Sequence, residues 1–185
     1  MRTLETDIEL QRLGLADAER LSNLAVKTYA DHYLHLWHDG GLWYINTHLS
    51  TARFEAELQD SNACFYLVYY KKAPVGFLKL NVHKPLPGEI INALELERIY
   101  LSKAATGHNI GTQLVQFSIN LAKENRCEKV WLKVMDSSNA AIRFYEKCGF
   151  EITGTHTLPF EQMIETYRGM YIMQLSLQSK SQSFI

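Results

Sequence analysis

The hydrophobic and polar positions of the chain predict strands and helices along its whole length. Apolar, β-prone runs such as CFYLVYY (64–70) and KVWLKVM (129–135) are typical of buried strands, whereas apolar residues spaced by three and four indicate amphipathic helices. Strands are predicted over 7–13, 64–70, 75–82, 90–101, 129–135, 150–156 and 166–175, and helices from 17 to the Gly40-Gly41 break, over 42–58, over 109–125 and from Asn139 to Cys148. This order predicts a mixed α/β fold with one sheet flanked by helices.

Turn and capping signals mark the limits of several elements. Ser50 is a candidate N-cap within the second helical segment, and Gly149 supplies a left-handed position after the last helix. Residues 71–74 form a predicted hairpin loop. The pattern contains neither an internal repeat nor a linker, so we predict one domain over residues 1–176 and a polar tail over 177–185.

One junction between a strand and a helix carries a candidate anion site. The apolar run at residues 94–101 ends in a short polar segment that contains Gly107 and Gly111, and a helical pattern begins there. The first N–H groups of a helix have no partners within it and point toward any ligand at the positive end of the helix dipole. Glycine also lets the backbone approach a ligand closely. The segment is therefore predicted to bind phosphate.

Composition and charge limit the classes of partner. The 185 residues, 46% of them hydrophobic, are typical of an ordinary soluble globular domain. A formal net charge of -1 gives no electrostatic reason to bind nucleic acid or an anionic membrane, so neither is a predicted partner. The three cysteines lack metal-ligand spacing, and the sequence has neither a signal-peptide core nor an apolar run of about 20 residues. A cytoplasmic location is expected.

Four segments resemble the GNAT superfamily of acetyl-CoA-dependent N-acetyltransferases. They are LERIYL (96–101), TGHNIG (106–111), WLKV (131–134) and NAAIRFYEKCGF (139–150), and the last matches the family pattern closely. Within the superfamily the chain looks most like the bacterial polyamine-acetyltransferase (PaiA-like) and spermidine/spermine branch, through TYADHY, WYI and GTHT. The resemblance implies a GNAT-like fold and acetyl-CoA as the co-substrate.

The resemblance also assigns a coenzyme site. The family's pyrophosphate loop reads Gln/Arg-x-x-Gly-x-Gly/Ala, and Thr106, Asn109 and Gly111 stand at those positions here. Threonine lacks the long polar arm, whereas asparagine tolerates positive φ better than other non-glycine residues do. For the loop alone, an ordinary helix start without a ligand is the alternative. The residues implied for acetyl-CoA binding are Ile99, Leu101, Thr106, Gly107, His108, Asn109, Ile110, Gly111, Thr112, Asn139 and Phe144.

Two side chains are candidates for proton transfer. The resemblance implies that Tyr145 protonates the departing thiolate, and packing of its ring is the alternative. Glu97 matches the family's strand carboxylate and is the candidate base, acting directly or through a water, while a surface or ion-paired carboxylate is its alternative. Glu95 projects to the same side of that strand. Asn139 either contacts coenzyme, as the resemblance implies, or simply caps its helix.

Histidine and aromatic residues between 29 and 43 form a candidate acceptor wall. His32 and His35 can share a helix face, but His38 points elsewhere and no carboxylate or cysteine set completes a metal site, so no metal is predicted. The aromatic residues expected on this wall, or else in the core, are Tyr29, Tyr33, Trp37 and Trp43.

The predicted function is that of a cytoplasmic N-acetyltransferase acting on a small amine, with a polyamine as first choice and direct transfer in a ternary complex. Glu55, Glu57 and Asp60 either attract such a cation or form a solvated helix face. The alternatives are acetylation of a protein or amino-acid amine on the same fold, and a non-catalytic acyl-CoA-binding sensor, which Thr106 and Asn109 favour. The resemblance also implies a homodimer, since the family commonly forms one.

Overall fold

A computed structural model describes residues 1–5, 7–105 and 107–177. Its strands are β1 (Arg2–Glu5), β2 (Ile8–Arg12), β3 (Ala63–Tyr70), β4 (Ala73–Asn81), β5 (Ala93–Leu101), β6 (Lys129–Met135), β7 (Glu151–Thr157) and β8 (Gly169–Ser176). Its α-helices are α1 (Ala18–Ala30), α2 (Leu42–His48), α3 (Thr51–Leu58), α4 (Ile110–Glu124) and α5 (Asn139–Lys147). Short 3-10 helices occupy Leu15–Asp17, Leu34–Leu36, Lys103–Ala105 and Glu165–Tyr167.

The described strands form one eight-stranded sheet in the order β1-β2-β3-β4-β5-β6-β8-β7. Neighbouring strands pair antiparallel, except β5 and β6, which pair parallel. A parallel pair needs a crossover connection, and α4 provides it because it lies between these two strands in the chain. The predicted phosphate-binding segment is the start of this crossover.

The sheet opens between β5 and β6. Their pairing covers only Ala93–Glu95 on β5 and Lys129–Trp131 on β6. The register between β4 and β5 skips Glu97, which is therefore an extra residue of the kind that forms a β-bulge and bends a strand. Beyond this point the β5 edge that faces β6 no longer takes part in the described ladder, so its backbone groups are available to a ligand.

Different helices cover the two faces of the sheet. Alternate residues of β3 divide between the faces: Tyr66 and Val68 pack in the cluster that includes α4 and α5, whereas Phe65 and Leu67 pack in the cluster that includes α1 and α3. Because both faces are buried, this strand has a continuous apolar sequence instead of an alternating one. The predicted fold class, a mixed sheet flanked by helices, is confirmed.

Three predicted elements differ in the structure. The helix predicted from 17 to the Gly40-Gly41 break ends at Ala30, and Leu34–Leu36 forms a separate 3-10 helix before the two glycines. The first strand is preceded by β1, a short strand whose backbone pairs with β2 and needs no apolar pattern of its own. The single helix predicted over 42–58 is two helices, because the Ser50 hydroxyl accepts a hydrogen bond from the N–H of Arg53 at 3.3 Å and begins α3. This contact confirms Ser50 as an N-cap.

Two further boundaries can be compared with the prediction. The hairpin between β3 and β4 turns on Lys71 and Lys72, which both have positive φ (49° and 66°), so the turn is shorter than the predicted 71–74. Gly149, with a φ of 91°, supplies the predicted left-handed position after α5. Of the predicted tail, residues 178–185 lie outside the described residues.

Candidate active site

A cavity of about 680 Å³ lies at the N-terminal end of α4, and we call it the helix-end cavity. It is bounded by the outer part of β5, the start of α4 and the start of α5. Its lining residues are His32, Tyr33, His35, Leu36, Ile99, Leu101, Ser102, Ala105, Gly107, Asn109, Ile110, Gly111, Thr112, Met135, Ser137, Ser138, Phe144 and Tyr167. Eight of the residues predicted for coenzyme binding are among them.

The start of α4 has the geometry of an anion site. Asn109 is the N-cap and has a left-handed backbone with a φ of 57°, a conformation that asparagine adopts more readily than most residues. Its carbonyl accepts the hydrogen bond from Gln113 N at 3.2 Å, which leaves the N–H groups of residues 110–112 without partners inside the helix. A phosphate at this end would meet these N–H groups and the positive end of the helix dipole.

Gly111 makes room for an aromatic ring. A Cβ at this position would lie 3.3 Å from Phe144 Cζ, which is closer than most such contacts. The glycine therefore lets α5 approach the first turn of α4, and Phe144 lines the cavity at that contact.

Of the predicted coenzyme residues that the structure describes, His108 and Asn139 do not line the cavity. Thr106 lies outside the described residues. His108 is exposed, and its ring stacks on Tyr70 at 4.6 Å while Nδ1 lies 3.2 Å from the Tyr70 hydroxyl. Asn139 is exposed as the first residue of α5, and the alternative that it caps this helix is wrong because Ser138 is the N-cap.

Ser137 and Ser138 line the cavity where Asn139 does not. Sequence analysis missed both as site residues. Their signal was the run of short polar side chains before α5, which marks a helix start but does not identify the residue that turns inward.

A second cavity of about 350 Å³ lies deeper between α1, α2 and the sheet, and we call it the aromatic pocket. Its lining residues are Tyr29, Tyr33, Leu36, Trp37, Tyr44, His48, Leu96, Glu97, Arg98, Ile99, Tyr100, Lys133, Val134, Met135, Ser138, Ala141, Tyr145, Leu158, Phe160, Met163 and Met170. Tyr29, Tyr33 and Trp37 line this pocket, and Tyr29 and Trp37 also belong to the buried core, as the alternative held. Trp43 stands behind them, 5.7 Å from the Trp37 ring.

The aromatic wall is a connected set of rings. Tyr29 stacks on Tyr44 with centroids 4.7 Å apart, and the Tyr29 hydroxyl accepts a hydrogen bond from Trp37 Nε1 at 2.6 Å. Burial raises the pKa of Tyr29, Tyr33 and Tyr100, so these hydroxyls stay protonated at neutral pH. The wall therefore offers uncharged ring faces and hydroxyl groups.

Two loops close the pocket from outside. Trp37 and Met163 form an isolated antiparallel β-bridge, the N–H of Ile164 donates to Leu36 O at 2.9 Å, and that of His38 donates to Gln162 O at 3.1 Å. The α1–α2 connection is thereby joined to the β7–β8 connection. We call this pair of joined connections the roof.

The helix-end cavity and the aromatic pocket share one wall. Residues that line both of them lie on α1's C-terminal connection, on β5, and around the end of β6: Tyr33, Leu36, Ile99, Met135 and Ser138. A molecule in one cavity can therefore meet a molecule in the other at this shared wall, which lies where β5 and β6 separate.

Tyr145 reaches this region from α5 and lines the aromatic pocket. Its ring packs against Phe144 and Phe150, with centroids 5.0 and 5.8 Å away. Its hydroxyl has no hydrogen-bond partner within the described part of the chain. Burial, with Tyr33 as a second contribution, raises the pKa of Tyr145 above its ordinary value.

Glu97 is held in an ion-pair network. Its carboxylate accepts hydrogen bonds or ion pairs from Lys79 Nζ at 2.6 Å, Arg98 at 3.1 Å and Asn81 Nδ2 at 2.6 Å. Burial opposes its ionisation, but the charges of Arg98 and Lys79 outweigh that effect and lower the pKa of Glu97 to about 2. The ion-paired alternative therefore describes Glu97 better than the predicted general base, since such a carboxylate is a poor proton acceptor.

The network continues to α3. Glu57, which is only 8% exposed, bonds Lys79 Nζ at 2.8 Å, Arg98 at 3.2 Å and Arg53 Nε at 2.7 Å. Glu95 shares Asn81 with Glu97, because Asn81 Nδ2 also donates to Glu95 Oε2 at 2.8 Å.

The acidic and histidine residues of the predicted acceptor side lie apart. Glu57 is inside the network just described, whereas Glu55 and Asp60 are exposed on the other side of α3 or beyond its end. His32 and His35 line the helix-end cavity, and exposed His38 does not. The described residues contain no group of three or more His, Cys, Asp or Glu that could hold a metal, and no helix among them is long and apolar enough to cross a membrane.

Curated relatives match part of the chain. One is the probable spermine N(1)-acetyltransferase of Bacillus subtilis subsp. natto, 26% identical over 103 residues, which are 52% of this chain and 68% of that protein. Another is an N-acetyltransferase of Lactobacillus delbrueckii subsp. lactis, 27% identical over 114 residues, which are 61% of this chain and 66% of the relative. The chain thus spans about two thirds of the length of these relatives.

A solved structure and a family model each match a larger share of the chain. The PaiA N-acetyltransferase of Thermoplasma acidophilum in complex with coenzyme A superposes with a TM-score of 0.70 at 21% identity, over 92% of this chain and 99% of that one, which shows a common fold. The model described as the Acetyltransferase (GNAT) family matches residues 21–150, well over half of the chain. The chain therefore belongs to the GNAT family of acetyltransferases, whose co-substrate is acetyl-CoA.

Proposed function

We propose that the protein transfers an acetyl group from acetyl-CoA to the primary amine of a small molecule, by direct attack in a ternary complex. The observation that carries this proposal is the wall shared by the helix-end cavity and the aromatic pocket. An acyl donor in the first cavity and an amine in the second would bring their reacting atoms together there.

The helix-end cavity suits the coenzyme. The N–H groups of residues 110–112, which have no partner inside the helix, would bind the pyrophosphate, and the exposed edge of β5 would bind the amide groups of the pantetheine arm. These contacts use the backbone, so the departures from the family loop at Thr106 and Asn109 are compatible with binding.

The chemical step needs one proton removed and one delivered. The amine nitrogen attacks the thioester carbonyl carbon, a C–N bond forms, the C–S bond breaks, and the products are an N-acetylated amine and coenzyme A thiol. A backbone N–H on the free edge of β5 would stabilise the oxyanion. Tyr145 would supply the proton to the thiolate, because its hydroxyl is protonated and has no described partner.

Burial affects the donor and the acceptor of that proton in the same direction. The pKa of Tyr145 is above its ordinary value, which alone would make the phenol a weaker acid. A thiolate in the same low-dielectric site is also destabilised, and the pKa of its thiol rises as well. A hydrogen bond from Tyr145 to the sulfur therefore remains favourable as negative charge develops there.

We propose that the amine loses its proton to water instead of to Glu97. The ordinary pKa of an alkyl amine is about 10, and a carboxylate with a pKa of about 2 drives that transfer poorly. Removal from water would lower the pKa of an ammonium ion bound in the aromatic pocket. The fraction of amine that is neutral and nucleophilic would rise accordingly.

The cysteines support transfer without an acyl-enzyme. Cys64 and Cys127 are buried, Cys148 is partly exposed, and none of them lines either cavity. Burial also raises the pKa of Cys127 and Cys148, which lowers their thiolate content. All three thiols are free, and this supports the reducing, cytoplasmic location that we include in the proposal.

The roof supports a small acceptor over a protein. The bridge between Trp37 and Met163 covers the aromatic pocket, and a protein side chain would have to enter past it. Among small amines, polyamines are the first to test, since one relative carries the name probable spermine N(1)-acetyltransferase and ring faces can bind ammonium groups. An amine with an acidic group is the second candidate, because Lys133 also lines the pocket.

Two measurements test this function. Calorimetric titration with acetyl-CoA should give saturable binding, and a free-thiol assay with polyamines, monoamines, amino acids and short peptides should show thiol release with at least one small amine. For a polyamine acceptor, KM should increase with ionic strength more than coenzyme binding weakens. Acetyl-CoA binding without turnover of any amine would support the acyl-CoA sensor, and turnover confined to peptides would support the protein-acetylating alternative.

A further inference from the structure

Lys133 is a cation with spare hydrogen-bonding capacity in the wall of the aromatic pocket. It lies on β6, beyond the residues of that strand that pair with β5. Its Nζ forms an ion pair with Glu95 Oε1 at 3.7 Å and lies 5.5 Å from the centroid of the Trp131 ring, and its side chain is 32% exposed. Within the described ranges no acceptor lies within hydrogen-bonding distance of this ammonium group, which carries three donors.

The carboxylates nearby have no comparable free capacity. Among the described lining residues Glu97 is the one carboxylate, and both of its oxygens contact cations. Glu95, the partner of Lys133, is buried outside this lining and accepts a hydrogen bond from Asn81 at 2.8 Å. Glu57 behind it is paired to Lys79 and Arg98. The pocket therefore presents the N–H donors of Lys133 to a ligand, while the carboxylate in its described lining is already paired with Lys79 and Arg98.

This balance has opposite consequences for two kinds of amine. A second ammonium group on a polyamine would meet Lys133 as a like charge and would find no free carboxylate in the described lining. A carboxylate on the acceptor would receive charge-assisted hydrogen bonds from Lys133 in a partly buried site.

The position of Lys133 sets the distance between the carboxylate of an acceptor and its reacting amine. It precedes Met135 by two residues, and Met135 belongs to the wall shared with the helix-end cavity. Residues two apart on a strand are about 7 Å from each other. A carboxylate held by Lys133 would thus lie several atoms away from the nitrogen that reacts at the shared wall.

We infer that Lys133 selects acceptors that carry a carboxylate several atoms from the reacting amine, the arrangement found in the side-chain amine of a dibasic amino acid. The inference rests on the proposed acetyltransferase function and names the substrate class of that same site. The reacting end lies at the shared wall, the carbon chain lies against the aromatic rings, and the carboxylate lies at Lys133.

Two matched pairs of amines test the selection on the unmodified protein. Lysine and cadaverine differ by a carboxylate, as do ornithine and putrescine. The kcat/KM for at least one amino acid should exceed that for its diamine about tenfold or more, the effect of a hydrogen bond to a charged group. Mass spectrometry of the product should place the acetyl group on the side-chain nitrogen. Equal values within both pairs, or a preference for both diamines, would overturn the inference even without a variant.

Substitutions assign the selection to Lys133. Lys133→Met keeps an unbranched side chain and should lower kcat/KM for the amino acid about tenfold more than for the diamine, and Lys133→Glu should reverse the order of the pair. Lys129→Met is the matched control, because Lys129 is on the same strand but its ammonium is bound to Glu89 at 2.8 Å outside the pocket. A ratio that stays the same in both Lys133 variants would remove Lys133 from substrate selection.

Different experimental results would contradict this inference and the proposed function. Absence of thiol release with every amine in the broad panel would contradict the acetyltransferase function itself. Turnover of diamines or monoamines without a preference for the carboxylated partner would contradict only the role of Lys133. Titration with acetyl-CoA and a melting curve for each variant separate a folding defect from a change of specificity.

Discussion

The helix-end cavity and the aromatic pocket lie side by side but are built in different ways. Half of the lining residues of the first come from one stretch, residues 99–112, whose backbone groups would contact the ligand. The second is made of side chains from α1, α2, β5, β6, α5 and the β7–β8 connection. A site made of backbone tolerates changes of side chain, whereas a site made of side chains from distant segments can change its substrate by single substitutions.

The two cavities also differ in how they carry charge. The described lining of the helix-end cavity contains no Asp, Glu, Lys or Arg, so an anion there would be held by N–H groups and the helix dipole. The aromatic pocket contains Glu97, Arg98 and Lys133. We therefore expect substitutions in the first cavity to change coenzyme affinity, and those in the second to change turnover and acceptor choice.

The largest effect is expected from Tyr145→Phe in the aromatic pocket. The variant loses the proton donor but keeps the ring that packs on Phe144 and Phe150. The kcat should fall about 10²–10⁴-fold with near-normal affinity for acetyl-CoA, measured by thiol release and calorimetry. With an acyl donor whose leaving thiol is more acidic, the substitution should reduce kcat less. Full turnover in a stable variant would show that the thiolate is protonated by solvent.

The next largest effect is expected in the acid stability of the protein, through the Glu97 ion pairs in the wall of the aromatic pocket. The pKa of Glu97 is about 2 in the folded protein and near 4.5 when unfolded, so the unfolded state binds more protons between these values. The stabilisation is complete above about pH 5 and is lost as the pH falls toward 2, by up to about 3 kcal/mol.

Urea unfolding across this pH range should show that the free energy of unfolding of the unmodified protein falls as the pH falls. The slope of this free energy against pH should be smaller in Glu97→Gln. Glu55→Gln is the control, because Glu55 is exposed on α3 and outside the network. A slope that Glu97→Gln leaves unchanged would mean that other carboxylates cause the acid sensitivity.

A smaller effect is expected in the helix-end cavity from Gly111→Val. The added side chain would press on Phe144, since even a Cβ would lie 3.3 Å from its ring. The dissociation constant for acetyl-CoA should rise about tenfold, in line with the usual cost of overpacking. Gly14→Val is the control, because a Cβ there meets nothing within 4 Å and Gly14 lies outside both cavities. Unchanged affinity would remove this contact from the coenzyme site.

The smallest effect is expected from Asn109→Gly. Glycine adopts the observed φ of 57° without a Cβ penalty and leaves no side chain to crowd a phosphate at this end of the helix. Acetyl-CoA binding should tighten by less than about fivefold, because asparagine already tolerates this conformation. Weaker binding would show that the Asn109 side chain contributes a contact of its own, and the backbone would then not account for the whole site.

The sequence by itself determined the local part of the site. A strand followed by a glycine-containing segment and an amphipathic helix produces a helix N-terminus with free N–H groups whatever surrounds it. Seven of the coenzyme residues that the family resemblance implied, from Ile99 to Thr112, line the helix-end cavity in this segment, and Phe144 joins them from α5. Short-range signals also located Ser50 as a cap and Gly149 as a helix end.

Only the tertiary structure decided the charge and shape of the acceptor side. The sequence left Glu97 open between a general base and a surface or ion-paired carboxylate, and a bulge in β5 with the distant residues Lys79 and Glu57 places it in a closed ion-pair network. Ser138 turns inward where Asn139 does not, a difference of one position that a polar run cannot reveal. Local geometry follows from neighbours in sequence, whereas the protonation state of a carboxylate depends on charges that the fold brings from far along the chain.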